Sequence, residues 1–360
     1  MSATAEITRA LNMLWCWDDY RKRRVVVRGL PYRADIEPTT RCNFACTICQ
    51  TTTWHRPRHD LTVEQFGQIV RSIPTLYNIK LVGMGEPLVN PHFFAILDAA
   101  RRHRIRVKTT TNGSLLDRDR RSALLRSGIH HIDVSIDGAR PQTHNSIRRG
   151  ADLDQIVANV SALVRERAGR KRPVLRVWSV AQRANISELT ELVDLCSRMG
   201  VDALAVQLSV TNFGSAPVEE RVRALRVPAV EEAAHAIRAA RRRAAAVGLP
   251  FSCGDVTYER ATRPVACRWP WERTFISVEG FVCPCCLVSD PQVVSFGNLF
   301  TEPFAAIWRG REYQALRDAF RQERPPTYCK ACVPEYKPCS EPSSMRPLET
   351  AAHSEGGSGP

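Results

Sequence analysis

Three cysteines fall within eight positions in the stretch CNFACTICQ, residues 42 to 50: Cys42, Cys46 and Cys49. A structural zinc site takes four ligands, commonly as two close pairs. A redox thiol pair needs only Cys-x-x-Cys. Three thiolates on a 4Fe–4S cluster would leave one iron open, and an open iron can take a small ligand and pass it an electron. On these residues alone the iron–sulfur reading leads, with zinc and a chance grouping left open.

A second set lies far downstream. Cys267 and Cys285 are followed by the pair Cys329 and Cys332, and Gly280 stands where a tight hairpin could bring Cys285 round. Two separated cysteines closed by Cys-x-x-Cys suit zinc or iron–sulfur. Cys283, Cys286 and Cys339 are possible substitutes, and because Cys286 adjoins Cys285 the ligand could slip by one. Cys253 lies near a domain junction, and Cys196, in LVDLCSRMG, reads as a helix core residue.

The elements that must position these groups alternate in type. Strand candidates cover 34–37, 79–85, 106–112, 131–138, 174–180 and 203–210, with helical segments between them. Thr62 and Gln65 are spaced as a capping box. Asn90 and Pro91 are placed as an N-cap and first helical residue. Ser187 opens a helix that Gly200 stops. Strand–helix alternation implies a parallel sheet with right-handed crossovers. Its length is short for an eight-unit barrel, so the fold class is α/β, a partial (βα)6 TIM-like barrel. Ligands in such sheets sit at the carboxyl ends of strands. The expected organisation is an N-terminal helical extension (1–33), the barrel (34–215), a linker helix (216–255), a small metal-stapled domain (256–340) and a disordered tail (341–360).

Composition bounds the setting. The chain has 360 residues, a formal net charge of +14 and thirteen cysteines. An odd count fits complete disulfide pairing poorly, and clustered thiols suit a reducing compartment. With no secretory signal and no apolar run of roughly 20 residues, the expected location is cytoplasmic, with no membrane partner. Only six of the 51 basic residues are lysine. Arginines spread along the whole chain make nucleic acid an unlikely partner, although a metal-stapled RNA-binding module is a non-enzymatic alternative.

Cys-x3-Cys-x2-Cys after the first strand of a partial (βα)6 barrel resembles the radical S-adenosylmethionine (SAM) superfamily, over about residues 34 to 340. The resemblance implies that Cys42, Cys46 and Cys49 hold a SAM-binding 4Fe–4S cluster whose open iron takes the methionyl amino and carboxylate groups. Electron transfer would then generate a 5′-deoxyadenosyl radical. GMGEP (83–87) resembles the family's Gly-Gly-Glu element, with Gly85 allowing close backbone approach and Glu86 accepting from the SAM ammonium. Asn112, Ser135 and Asp137, in TTTNG and SIDG, fall where strand-end polar groups surround SAM. Gln182 or Arg183 is placed to reach its carboxylate, and Ile48 stands where an aromatic residue often lies near the adenine. Turn formation is the plain alternative for Asn112 and Asp137, and dipole stabilisation at a helix start is the alternative for Glu86.

Cys267, Cys285, Cys329 and Cys332 resemble the ligands of the family's twitch domain, a short SPASM-like domain with one auxiliary 4Fe–4S cluster. The resemblance to aminocyclitol and sugar dehydrogenases of antibiotic biosynthesis implies oxidation of a carbinol to a ketone, with the auxiliary cluster as electron acceptor. One alternative is epimerisation, with Cys253 as hydrogen donor. Another is peptide modification, as in maturation of ribosomally made peptide products. The reductant would be flavodoxin or ferredoxin. Glu37 is expected to support the cluster loop, and His55, Arg56 and His59 to form a solvated basic loop.

Overall fold

The computed structural model describes residues 3–52, 56–208, 210–227, 230–253 and 267–329. Strands β1 (Arg33–Ile36), β2 (Asn78–Leu81), β3 (Arg106–Thr111), β4 (His131–Ser135), β5 (Val174–Val180) and β6 (Ala203–Gln207) lie side by side, all parallel. Each expected strand is present, with ends displaced by a few residues.

Alternation explains the two faces of the sheet. Ile36, Leu81, Val107, Val134, Val177 and Leu204 point to one side and are buried. They share a core with apolar residues of the outer helices, such as Phe66 and Ile69 of α2 (Val63–Ser72) and Phe93 and Ile96 of α3 (Phe93–Arg102). Helices α4 (Arg118–Ser127), α6 (Leu153–Arg167) and α7 (Leu189–Met199) continue this layer, and α5 (Pro141–Ile147) packs beside α6. Because strand side chains alternate in direction, the intervening residues form the opposite, inner face. There Lys80, Lys108, Asp133, Arg176 and Trp178 stand in place of an apolar core.

Three strands lie beyond the expected six. β7 (Phe251–Cys253) pairs parallel with β6, β8 (Arg273–Ile276) pairs parallel with β1, and β9 (Val282–Cys283) returns antiparallel to β8. The sheet order is β7-β6-β5-β4-β3-β2-β1-β8-β9. The C-terminal segment therefore shares the barrel's sheet. In place of one linker helix over 216–255 there are α8 (Ala216–Arg223), α9 (Val230–Ala246) and β7. The N-terminal extension is helical over α1 (Ala3–Arg21). After it, Trp271 of α10 (Trp269–Glu272) donates to the Arg24 carbonyl at 2.9 Å. Helices α11 (Phe304–Arg309) and α12 (Arg311–Arg321) are the last α-helices among the described residues, and the tail lies outside them.

Local signals differ in outcome. The Thr62–Gln65 capping box is formed at both of its hydrogen bonds, and Gly200 closes α7 in the left-handed conformation. Asn90 Oδ1 accepts from His92 N–H at 2.7 Å, the bond an N-cap makes, although regular α3 starts later, at Phe93. Its amide nitrogen also donates to the Pro38 and Leu61 carbonyls at 2.7 and 3.0 Å, tying the β2 loop to the β1 loop. Ser187 lies inside a 3-10 turn, and α7 begins at Leu189.

Candidate functional site: a thiol-lined pocket at the strand ends

The loop leaving β1 carries Cys42, Cys46 and Cys49 onto the carboxyl ends of the strands. Its backbone is held from two sides. Thr47 N–H donates to Ile147 O at 2.8 Å, Ala45 N–H donates to Arg149 O at 2.9 Å, and Glu86 N–H donates to Arg41 O at 2.9 Å. The last contact needs Gly85, where an added Cβ would come within 2.3 Å of Thr39 O and 2.6 Å of Arg41 O. The close approach made at this glycine is thus to the cysteine loop itself.

A cavity of about 180 Å³ is lined by the three thiols together with Ile48, Gly85, Glu86, Thr110, Thr111, Asn112, Ser135, Arg148 and Phe213. Burial pushes the Cys42 thiol up to about 12, with Glu86 and the other two thiols adding to the rise. Burial also raises Cys46, against the charge of Arg148. Neutral thiols are poor ligands, so ionising this set calls for a strong local positive charge such as bound iron. Among the described residues no three cysteine, histidine or carboxylate side chains form a site for a metal ion. The donors on this wall are three sulfurs, the ligand chemistry of iron–sulfur clusters. Two polar atoms of the lining, Thr110 Oγ1 and Arg148 Nε, are buried with no hydrogen-bond partner among the described residues, as a cavity that takes a polar ligand requires.

Glu86 is buried, and its carboxylate is already engaged. It accepts from Thr111 Oγ1 at 2.7 Å, from Asn112 N–H at 2.7 Å and from Leu88 N–H at 3.2 Å, so it also caps the 3-10 turn Pro87–Val89. Burial raises its pKa despite these bonds. Asn112 donates to Asn43 Oδ1 at 2.9 Å, joining the end of β3 to the cysteine loop.

Asp137 lies just behind the pocket, fully buried, and Arg148 pairs with it at 2.8 Å. Val180 N–H donates to the same carboxylate at 2.7 Å, and Asp137 N–H donates to His144 Nδ1 at 3.1 Å. Burial opposes the charge on Arg148, but Asp137 and then Cys46 raise its pKa. Arg148 is the cation that the sequence reading missed. No local motif marks it among so many arginines. Gln182 is buried outside the lining, its Nε2 without a partner among the described residues. Arg183 is exposed and also absent from the lining. Cys253 ends β7 opposite Val206 and does not reach this cavity.

Glu37, at the end of β1, is fully buried. Arg56 bridges it at 2.6 Å to Glu279, also at 2.6 Å. Arg56 is therefore not part of a solvated loop: its side chain is 2% exposed. Glu37 also accepts long hydrogen bonds of 3.4 Å from Met84 N–H and Val278 N–H, so one carboxylate links the β1 end, the β2 loop and the C-terminal segment. His59 is exposed, and His55 lies outside the described residues.

In the C-terminal segment, Gly280 takes φ +90° at the β8–β9 turn, where a Cβ would meet Phe300 at 2.3 Å. This hairpin presents Cys285. Tyr328, whose hydroxyl pKa is raised mainly by burial, also feels the charges of Cys329 and Cys285, which places those two thiols in one neighbourhood. Cys267 is partly buried against the main core. Cys332 and Cys339 lie outside the described residues. Cys283 is buried in the core, facing the Ser289 carbonyl, and Cys286 is hydrogen-bonded to Asp35 of β1.

Residues 36–168 match the Radical SAM superfamily, and residues 267–333 match the SPASM iron-sulfur cluster-binding domain. The chain thus carries a radical SAM domain and a C-terminal SPASM domain, and these imply SAM, a 4Fe–4S cluster and auxiliary iron–sulfur clusters as its cofactors. It is 28% identical to the AdoMet-dependent heme synthase of Methanosarcina barkeri over 304 residues, 78% of this chain and 83% of that protein. It is 27% identical to the PqqA peptide cyclase of Streptomyces rochei over 309 residues, 84% of this chain and 82% of that one. The mycofactocin maturase MftC of Mycobacterium tuberculosis is 28% identical over 191 residues, 52% of this chain and only 48% of its own length. Streptococcus suis SuiB, solved with its precursor peptide SuiA, shares the fold at a TM-score of 0.67 and 15% identity, covering 83% of this chain and 69% of that one. No helix among the described residues is long and apolar enough to cross a membrane.

Proposed function

We propose that this enzyme modifies a peptide by radical chemistry, with Cys42, Cys46 and Cys49 holding the SAM-binding cluster. The observation that carries this reading is the single cavity in which the three thiols meet Glu86, Asn112, Ser135 and Arg148 above a broad polar inner face. Bound there, the cluster and SAM supply a 5′-deoxyadenosyl radical able to take a hydrogen atom from an unactivated C–H bond. The protein's own part is to orient and to exclude water. Arg148, on the cavity wall with its Nε unpartnered among the described residues, would pair with an anionic group such as the SAM carboxylate. Ser135 and Asn112 offer hydrogen bonds, and Ile48 gives an apolar wall to the adenine. Glu86 holds the Thr111–Asn112 strand end in place. Asp137 acts through Arg148, and Gln182 supports the strand end behind it.

Three similarities support a peptide substrate: the PqqA peptide cyclase, the maturase MftC, and SuiB with its precursor peptide. A second reading keeps a small-molecule substrate, including oxidation of an aminocyclitol or sugar carbinol. The heme synthase, whose similarity spans most of both chains, favours it. In either case Cys267, Cys285, Cys329 and Cys332 would hold an auxiliary cluster, and flavodoxin or ferredoxin would deliver the electron to the basic chain.

The test is anaerobic turnover of the iron-reconstituted enzyme with SAM and reductant in heavy water. One arm uses peptides encoded beside the gene, and the other uses aminocyclitols and sugars. Deoxyadenosine formed together with a peptide mass change supports the main reading. Deoxyadenosine together with a ketone supports the second. No deoxyadenosine from any substrate overturns both.

A further inference from the structure

The inner face of the sheet carries charge that the SAM pocket does not use. In register across β8, β1, β2, β3 and β5 it holds Arg33, Lys80, Arg106, Lys108, Arg176 and Arg273. Among the described strand residues of that face only Asp35 and Asp133 are acidic. The excess of cations is concentrated at one point. Asp133, 3% exposed, receives Arg176 at 2.7 Å, His131 at 2.8 Å and Lys80 at 3.4 Å. Asp133 therefore serves two permanent cations, of which Lys80 also stands opposite Asp35 on β1. Lys80 and Arg176 remain 30% and 27% exposed.

The two cations flank one ring. Lys80 Nζ is 5.8 Å and Arg176 Cζ is 5.2 Å from the Trp178 ring centre. Lys80 is on β2 and Trp178 on β5, three strands away, so on a flat sheet they would be about 14 Å apart. They meet because the sheet curves, and the curvature places both inside the barrel. This cluster lies directly below the thiol-lined cavity. Thr110, which lines the cavity, is opposite Asp133, and Ser135, which also lines it, is opposite Trp178. Two residues along a strand separate Ser135 from Asp133, a rise of about 7 Å. A concave, cation-rich wall focuses potential on a bound anion.

We propose that Lys80 and Arg176, flanking Trp178, bind a carboxylate of the substrate, so that the peptide carries an acidic residue at or beside the residue that reacts. This rests on the peptide reading above. A group held about 7 Å below the cavity is separated from the reacting carbon by the length of a glutamate side chain or one backbone step. The carboxylate would exchange its water for two charge-assisted hydrogen bonds, which Lys80 and Arg176, both still partly exposed, can donate.

The experiment is anaerobic calorimetric titration of the reconstituted, SAM-loaded enzyme with three probes. These are an end-blocked Gly-Glu-Glu-Gly peptide, its Gly-Gln-Gln-Gly counterpart and the small acid tricarballylate. The glutamate peptide should bind about tenfold tighter than the glutamine peptide. Lys80→Met and Arg176→Met should each lose most of that difference, and surface Arg140→Met none. Asp133→Asn, which frees both cations, should strengthen binding, a direction that misfolding cannot produce. Equal binding of the two peptides, or glutamate binding indifferent to Lys80→Met and Arg176→Met, overturns the proposal. Tricarballylate binding with the same variant pattern while neither peptide binds sustains the carboxylate site and removes the peptide reading beneath it.

Discussion

Arg148 Nη2 lies 2.8 Å from Asp137 Oδ2, and both side chains are almost withdrawn from solvent. The pair joins the segment after β4 to the cavity wall, so the cation that lines the thiol cavity is fixed by a fully buried carboxylate outside the lining. Removing one partner strands the other charge, which typically costs about 3–5 kcal/mol. Arg148→Met should therefore lower the melting temperature and raise the KM for SAM. The double variant Arg148→Met with Asp137→Asn should recover much of the stability but not the SAM affinity. Thermal unfolding and deoxyadenosine kinetics on both variants separate these effects. Equal recovery of both would show that the arginine only fills space.

Gly85→Ala drives a methyl into the Thr39 and Arg41 carbonyls, at 2.3 and 2.6 Å. Neither is a flexible side-chain tip, so the β2 loop and the cysteine loop must part. Overpacking of this kind typically costs about 1–3 kcal/mol. Here it should also lower the iron bound after reconstitution, by displacing Cys42. Gly67→Ala in α2 meets only the tip of Arg71, at 3.2 Å, and should retain full iron and gain slightly in helix stability. Iron content and the cluster's electron paramagnetic signal provide the readout.

His144 is fully buried, with Nδ1 accepting from Asp137 N–H. Burial, then the charge of Arg148, push its pKa down to about 3 from the ordinary 6.5. Between those values the unfolded chain binds a proton that the folded chain refuses. Stability from this residue is therefore complete above about pH 6.5 and falls as the pH is lowered toward 3, by at most about 1.4 kcal/mol per pH unit. Denaturant titrations at about pH 7, 6 and 5 should show this loss, and His144→Gln should flatten it. An unchanged slope in His144→Gln would assign the acid sensitivity to other groups.

Much of this arrangement was legible in the residues. Short β-like runs such as 34–37 and 174–180 marked the strands, and Thr62 with Gln65 marked a helix start, because both signals depend on neighbours in sequence. The three cysteines stood out by their spacing, and Gly85, Glu86, Asn112 and Ser135 followed from the resemblance to the radical SAM pattern at strand ends. What remained hidden depends on partners distant in the chain. Arg148 is separated from its role by the whole of the barrel's first half, and Arg56 reads as solvated until Glu279 is brought across to it. The pairing of β8 with β1 joins residues more than two hundred positions apart, which no periodicity encodes. Asn90 was legible only in part for the same reason: its oxygen caps the turn at His92 as its type suggests, but its bonds to the Pro38 and Leu61 carbonyls lie far away in the chain.

The C-terminal cysteines separate by environment, and this gives the last prediction. Cys285 shares a neighbourhood with Cys329 beside Tyr328, while adjacent Cys286 is turned to Asp35 of β1 and Cys283 is sealed in the core. Burial raises the thiol pKa at both Cys283 and Cys286, and the nearby carboxylates Glu37 and Asp35 raise it further. Cys42 and Cys46 are raised by burial as well, so it is placement that sets these two apart: Cys283 is held in the core and Cys286 engages Asp35, away from the neighbourhood of Cys285 and Cys329. Cys267→Ala, Cys285→Ala, Cys329→Ala and Cys332→Ala should each lose about four irons per chain, one cluster's worth. Cys283→Ala and Cys286→Ala should keep the full count, with Cys283→Ala losing a little stability to the small cavity it leaves. Cys42→Ala, Cys46→Ala and Cys49→Ala should abolish deoxyadenosine formation while the C-terminal irons remain. Iron analysis and Mössbauer spectra across the series check each outcome. Loss of the C-terminal cluster in Cys286→Ala but not in Cys285→Ala would move the ligand by one residue and, with it, draw that cluster toward Asp35 and the barrel's inner face.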